Sequence, residues 1–395
     1  MAGRIPGLVA AARMRLPSRS ECAPVGGRGP PLGYAWQGVR IKPEMGSGAL
    51  VWHRRPRQGG SMIPDIPPPG QAATLRPGLR WLRFPLPFPP SHVNVWLVED
   101  GPGWLAIDCS IANDASRDLW REALAGDAFA GRPLRRLLVT HFHPDHAGLM
   151  GWLAEGHGLV PLMTKIEWLQ ARALWFDTGI EMVEHQARFA EVAGAPSEYA
   201  DFIRARGPLY VKSVAPLPRV FEAIADGQHF TIGGRPWRVM TGQGHAPDMA
   251  CLFDAEDRVL IAADQILPRI SPYIGLHAGE PAADPLGAFL ASLDCFRALP
   301  EDTLVLPSHG EPFYGLHARL DWLTVHHAER LSLLMDAMAD SSAHDLLPVL
   351  FRRPLDLRNL GFGLGETLAH LRRLQVMGEA VAEPDAAGVM RWRRV

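Results

Sequence analysis

The residues that could do chemistry are densest in Thr140–Gly148, "THFHPDHAG". His141, His143, Asp145 and His146 fall within six residues, directly after the apolar run LLV. Neutral imidazole and carboxylate are the donors that suit zinc and its neighbours. Side chains alternate where a chain leaves a strand, so His141 and His143 point the same way, with Asp145 and His146 on the next turn. The pattern predicts room for two ions, one on a pair of imidazoles and one on a carboxylate and an imidazole. Four side chains do not complete two coordination spheres. Further ligands are therefore expected at places of the same kind, just past buried strands. Three residues qualify: His245 after WRVMTGQG, Asp264 after RVLIAA, and His309 after TLVLPS. From His146 onward the separations are 99, 19 and 45 residues, so the fold must assemble the site.

The elements that would carry these ligands are readable from hydrophobic period. LRWLRFPLP, HVNVWLVED and GWLAIDCS read as strands, the third ending at Asp108. DASRDLWREALAG reads as a helix closed by Gly126, and LRRLLVT as a short buried strand that runs into the histidines. AGLMGWLAEGHG is a helix stopped by glycine, and residues 164–206 are predicted largely helical. Within them Thr178–Glu181, TGIE, has the form of a capping box. VFEAI, FTIGG and PWRVMTG return to strands, followed by a hairpin in CLFDAEDRVLIAAD, a helix in DPLGAFLASLDCFRAL and a strand in DTLVLPSHG. Strands and helices thus come in two similar passes, roughly 80–160 and 215–310. Two sheets packed face to face with helices outside would bury them. A long helix over 313–339, two further helices and a strand–DAAG–strand ending complete the chain.

Taken in order, HFHPDH, GHAPD, AADQ and SHG resemble the metallo-β-lactamase superfamily, over roughly residues 79–315. The resemblance implies an α/β protein, a four-layer αββα metallo-β-lactamase sandwich with a dinuclear site at one edge. By position His141, His143 and His245 would hold one divalent ion, and Asp145, His146 and His309 the other, with Asp264 bridging. Zinc is the expected metal, with iron or manganese as alternatives. Asp108 is expected behind the ligands, not among them. His143 stands where the flavodiiron branch has Glu, which favours hydrolysis over redox chemistry. Asp264 stands where zinc β-lactamases commonly place Cys, which resembles the glyoxalase II, lactonase and ribonuclease branches. The glyoxalase-like GHTPGH is here GHAPDM, which argues against glutathione thioesters. The activity implied is hydrolysis of a small ester, thioester or lactone by a metal-bridging hydroxide, with Asp145 also holding the nucleophile's proton. The alternatives are an endoribonuclease of the lactamase-like branch, whose C-terminal winged helix the last helices and hairpin resemble, and a mononuclear iron persulfide dioxygenase. A non-catalytic binding protein is disfavoured by the complete ligand set.

The remaining features bound the partners. With a net charge of −2 and a pI near 6.8, the chain shows no overall basic character, so a small-molecule substrate is favoured over nucleic acid. Over 352–395, eight Arg stand against five acids, which favours packing or homodimer formation over nucleic-acid binding for that element. The four cysteines form no C-x-x-C pair, so a reducing, cytoplasmic setting is expected. No apolar run reaches the ~18 residues of a membrane span. Residues 1–61 carry a charge of +8 against −10 for the rest, and are read as a disordered or mis-annotated basic extension with Met62 as the expected start. The expected domains are 62–325, with a helical insertion at about 164–206, and a winged-helix-like 326–395. The insertion is a candidate cover for the metal edge. The loop LPRISPYIGLH offers Arg269, Tyr273 and His277 as candidate substrate contacts. His157, His185, His229, His326 and His327 fit no ligand position and are assigned to surface or packing.

Overall fold

The computed structural model describes residues 63–395, so the reading of the basic N-terminal segment lies outside the described residues. The chain opens with strands β1 (Ala72–Arg76), β2 (Leu79–Pro85), β3 (His92–Asp100) and β4 (Gly103–Ile107), then helix α1 (Asp114–Ala125) and β5 (Leu134–Leu138). Helices α2 (Pro144–Ala147) and α3 (Met150–His157) follow the histidine cluster, before β6 (Leu162–Thr164). The insertion is α4 (Lys165–Phe176), α5 (Ile180–Val192), α6 (Ser197–Arg206) and α7 (Tyr210–Ser213). Next come β7 (Glu222–Ile224), β8 (His229–Ile232), β9 (Arg235–Gly242), β10 (Met249–Asp254), β11 (Val259–Ala263), α8 (Pro285–Arg297) and β12 (Leu304–Pro307). The chain ends in α9 (Leu316–Ala337), β13 (Ala339–Ser341), α10 (Leu347–Leu350), α11 (Leu360–Val376), β14 (Ala380–Pro384) and β15 (Met390–Arg394).

Seven strands form one sheet in the order β1 to β7, and five form a second in the order β12-β11-β10-β9-β8. The period of two decides what lies between them. On β3, Trp96 and Val98 face the second sheet, while Val93, Val95 and Leu97 face helices. On β11, Val259 and Ile261 face the first sheet, while Leu260 and Ala262 face α8 and α9. Strands buried on both faces read as nearly unbroken apolar runs, which is why they stood out in the sequence. The result is the expected αββα sandwich, with Trp81, Trp96 and Trp237 filling the layer between the sheets.

Three local expectations need correction. β7 pairs with β6 at the edge of the first sheet, so VFEAI closes the first pass instead of opening the second. The capping box is not formed: the N-cap of α5 is Gly179, with no side-chain hydrogen bond at the cap. The helix begins one residue later than TGIE requires, so Glu181 sits too early to reach back. SAHDLLPVLF yields only the single turn of α10. Helix α9 runs unbroken through position 326 and carries the chain into the C-terminal region, where β13, β15 and β14 form a three-stranded sheet beside α11.

Candidate metal centre

The ligands leave both sheets at one edge. His141 to His146 follow β5, His245 follows β9, Asp264 follows β11 and His309 follows β12. His141 and His146 are fully buried, and His245, Asp264 and His309 nearly so. The ring nitrogens of His141 (Nε2), His143 (Nδ1) and His245 (Nε2) lie 2.9–3.3 Å from one another. A second group joins Asp145, His146 and His309. Asp145 Oδ2 is 3.5 Å from His146 Nε2 and 3.4 Å from His309 Nε2. Asp264 Oδ2 lies between the groups, 3.3 Å from His245 Nε2, 3.5 Å from His146 Nε2 and 3.4 Å from His309 Nε2.

Four of the five imidazoles are turned by a partner on the far nitrogen. His245 Nδ1 donates to the Tyr273 carbonyl at 2.7 Å, and His309 Nδ1 to the His92 carbonyl at 2.6 Å. His146 Nδ1 meets Asp108 Oδ2 at 2.9 Å. The same carboxylate oxygen accepts from Thr140 Oγ1, which leaves that hydroxyl free to accept from His141 Nδ1, 3.0 Å away. One buried carboxylate thus orients two ligands, as expected for a residue behind the site. It does so from a left-handed backbone, with φ +67 at Asp108. That conformation costs an aspartate of order 1–3 kcal/mol and is held here by its three hydrogen bonds.

These anchors test whether a cation fits. With both Nδ1 atoms donating outward, the Nε2 atoms of His141 and His245 present bare lone pairs to each other at 3.3 Å. A single proton on His143 Nδ1 can satisfy only one of them. His146 Nε2 and Asp264 Oδ1 are buried without a hydrogen-bond partner. Tetrahedral zinc, with nitrogen ligands at about 2.0–2.1 Å, has edges of about 3.3–3.4 Å, close to the spacings here. The electrostatics agree. Burial lowers the His141 and His143 pKa values, and the neighbouring imidazoles lower them further. Burial alone would raise Asp145 and Asp264, yet the surrounding imidazoles hold both carboxyls well below their usual range. Burial opposes charge on His309 too, but Asp264 and Asp145 outweigh it and push it up to about 10. A pocket with this much fixed negative charge accepts cations.

All seven expected ligands therefore converge. The candidate substrate contacts fare differently. Tyr273 turns its phenol away, over Gly365 and edge-on to Phe362 of α11 at 5.1 Å, because Gly365 leaves room for it. Its contribution to the site is its carbonyl. Arg269 lies at the rim with its side chain 79% exposed, 3.8 Å from Glu311. His277 is exposed beside Tyr273, in the loop whose Ala278 carbonyl accepts from His185 of α5 at 2.9 Å. That bond ties the insertion to the metal edge. Sequence reasoning missed Glu167 and Tyr210, whose long-range backbone contacts have no local signature.

The family model described as metallo-beta-lactamase superfamily matches residues 88–309. The protein belongs to the metallo-beta-lactamase superfamily. A second model, metallo-beta-lactamase-like C-terminal domain, matches residues 331–395. A solved beta-lactamase domain protein from Burkholderia ambifaria is 38% identical with a TM-score of 0.77, covering 84% of this chain and 96% of that one. Acyl-coenzyme A thioesterase MBLAC2 of Bos taurus is 28% identical, over 51% of this chain and 72% of its own. The linear primary-alkylsulfatase of a Pseudomonas strain is 25% identical over 55% of this chain, which spans only 42% of that longer protein. Both relatives are named as hydrolases, and the buried His/Asp donor set fits metal-dependent hydrolysis. Among the described residues no helix is long and apolar enough to cross a membrane.

Proposed function

We propose that the protein is a dinuclear metal-dependent hydrolase of a small ester, thioester or lactone. The observation that carries this reading is the position of Asp264 Oδ2, within 3.5 Å of donors from both groups. Two divalent ions, zinc by the choice of donors, would supply Lewis acidity toward the substrate oxygen and make a water acidic enough to ionise near neutral pH. His141, His143 and His245 would hold one ion, Asp145, His146 and His309 the other, with Asp264 shared. Asp145 is the more open of the two site carboxylates, its side chain 15% exposed against 7% for Asp264, so it is the one placed to keep a proton from the attacking water. A second complete donor group argues against a mononuclear iron centre.

The insertion supports an acyl compound as substrate. Leu174, Met182, Leu209 and Tyr210, with Gln186 and Arg206, line a cavity of about 160 Å³, and Tyr210 donates to the Phe142 carbonyl beside the ligands. The thioesterase relative fits the same choice. The C-terminal region, read as winged-helix-like, is assigned to packing or pairing of chains. The test is a panel of acyl thioesters, esters and lactones against single-stranded RNA, with metal-loaded and chelated protein. Metal-dependent thioester or ester cleavage is expected. Full activity without metal, or cleavage of RNA alone, overturns the reading.

A further inference from the structure

Glu167 stands on the first turn of α4, fully buried, and no hydrolytic step uses it. Its two carboxylate oxygens reach in different directions. Oε2 accepts from the Phe142 N–H at 3.0 Å, and Oε1 from the Asp248 N–H at 2.6 Å. Phe142 lies between His141 and His143, and Asp248 is three residues beyond His245. One side chain of the insertion therefore spans the two loops that supply the three-imidazole group. The same two residues are gripped again through their carbonyls. Tyr210 donates to the Phe142 carbonyl at 2.7 Å, and Thr164 to the Asp248 carbonyl at 2.7 Å. Thr164, Glu167 and Tyr210 are all buried and all belong to the 164–214 region. Only one direct backbone bond near the ligands joins the two loops, from the Ala250 N–H to the Thr140 carbonyl at 2.9 Å. Both contacts to Glu167 come from N–H donors, so its acceptor pair cannot be reproduced by an amide, which would set an N–H against an N–H.

We infer that Glu167 is a positioning residue of the metal centre, holding the loop of His141 and His143 at a fixed distance from the loop of His245. The insertion is then part of the frame of the site as well as its cover. Partners that hold ligands in place typically change metal affinity 10–100-fold when lost. This inference rests on the metal-centre reading, and the parent chain separates the two. If the full-length parent takes up no zinc in a chelator competition, the metal-centre reading fails and takes this one with it.

With parent binding established, Glu167→Gln is measured in the same competition and by the absorption spectrum of the cobalt-substituted protein. A loss of zinc affinity of 10–100-fold with an altered cobalt spectrum is expected. A change below tenfold overturns the inference, even if the variant melts earlier, because a merely structural role moves stability and leaves the affinity of the folded protein alone. Should Glu167→Gln not fold, the double variant Thr164→Val with Tyr210→Phe loosens the same two residues, and the same threshold decides.

Discussion

Among the described residues two clusters of histidine are buried, and only one has the chemistry of a metal centre. At the sheet edge, five imidazoles meet two carboxylates. Between α9 and α11, His326, His327 and His370 meet each other. His370 Nδ1 donates to the Glu366 carbonyl at 2.8 Å, so its Nε2 must accept from His327 Nδ1 at 3.1 Å. That relay ends at His327 Nε2, buried without a partner, with the ring edge-on to Phe289 at 5.5 Å. The nearest carboxylate, Glu366, is turned to Arg330 at 2.9 Å. Burial depresses imidazoles in both clusters, His141 and His143 included, but only the metal centre has carboxylates that oppose it. Burial, with neighbouring cations, lowers His326, His327 and His370 to about 4, 2 and 3. In the metal centre Asp264 and Asp145 push His309 up to about 10 against burial. Histidine density does not make a site. Converging carboxylates and imidazoles with one nitrogen pinned outward do.

The comparison can be broken most directly at Asp264. Asp264→Ala is expected to reduce hydrolysis to background and to strip bound metal, measured by elemental analysis, whereas His327→Ala should retain full metal content. Equal metal loss in both would erase the distinction. Next in size, Asp108→Asn removes the acceptor shared by His146 and Thr140, and zinc affinity should fall about 10–100-fold in a chelator titration. Chelation of the wild-type protein comes third. Metal at 100 times its Kd stabilises by about 2.7 kcal/mol, so the thermal midpoint should drop on adding chelator, and the drop should vanish in Asp264→Ala.

The other cluster predicts a pH effect. His327 and His370 have folded pKa values depressed to about 2 and 3, below the unfolded value near 6.5. The unfolded chain therefore binds more protons as acid is added, and stability is complete above pH ~6.5 and falls below it. The slope approaches ~1.4 kcal/mol per pH unit for each histidine. The groups packed around them, Arg319, Arg330 and His326, repel the added charge, and Glu366 is already paired. His327→Leu should flatten denaturant midpoints measured between pH 7 and 4. The smallest effect is expected at the rim: Arg269→Ala should change stability by less than about 0.5 kcal/mol, and should act on KM if it acts at all.

Much of this was legible in the chain. The ligands were readable because each follows an apolar strand and because four of them share six residues. The strands were readable because burial on both faces leaves unbroken apolar runs, as in Gly103–Ile107. Contacts made across long separations were not. Glu167 looks like an ordinary acid in the first turn of a helix, and its partners lie 25 and 81 residues away. The turn of Tyr273 toward α11 depends on Gly365, a residue with no local signal of that role. The reading of TGIE failed for the opposite reason: a local motif fitted, but the N-cap fell one residue later, on Gly179 in place of Thr178.

Ligands of the three-imidazole group come from both sheets, His141 and His143 from the end of β5 and His245 from the end of β9. An ion held there is a rivet through two plates. Sliding one plate over the other would shear it, so the sandwich cannot part while the rivet stays, and a colour change in a released-zinc indicator would time the moment the layers come apart.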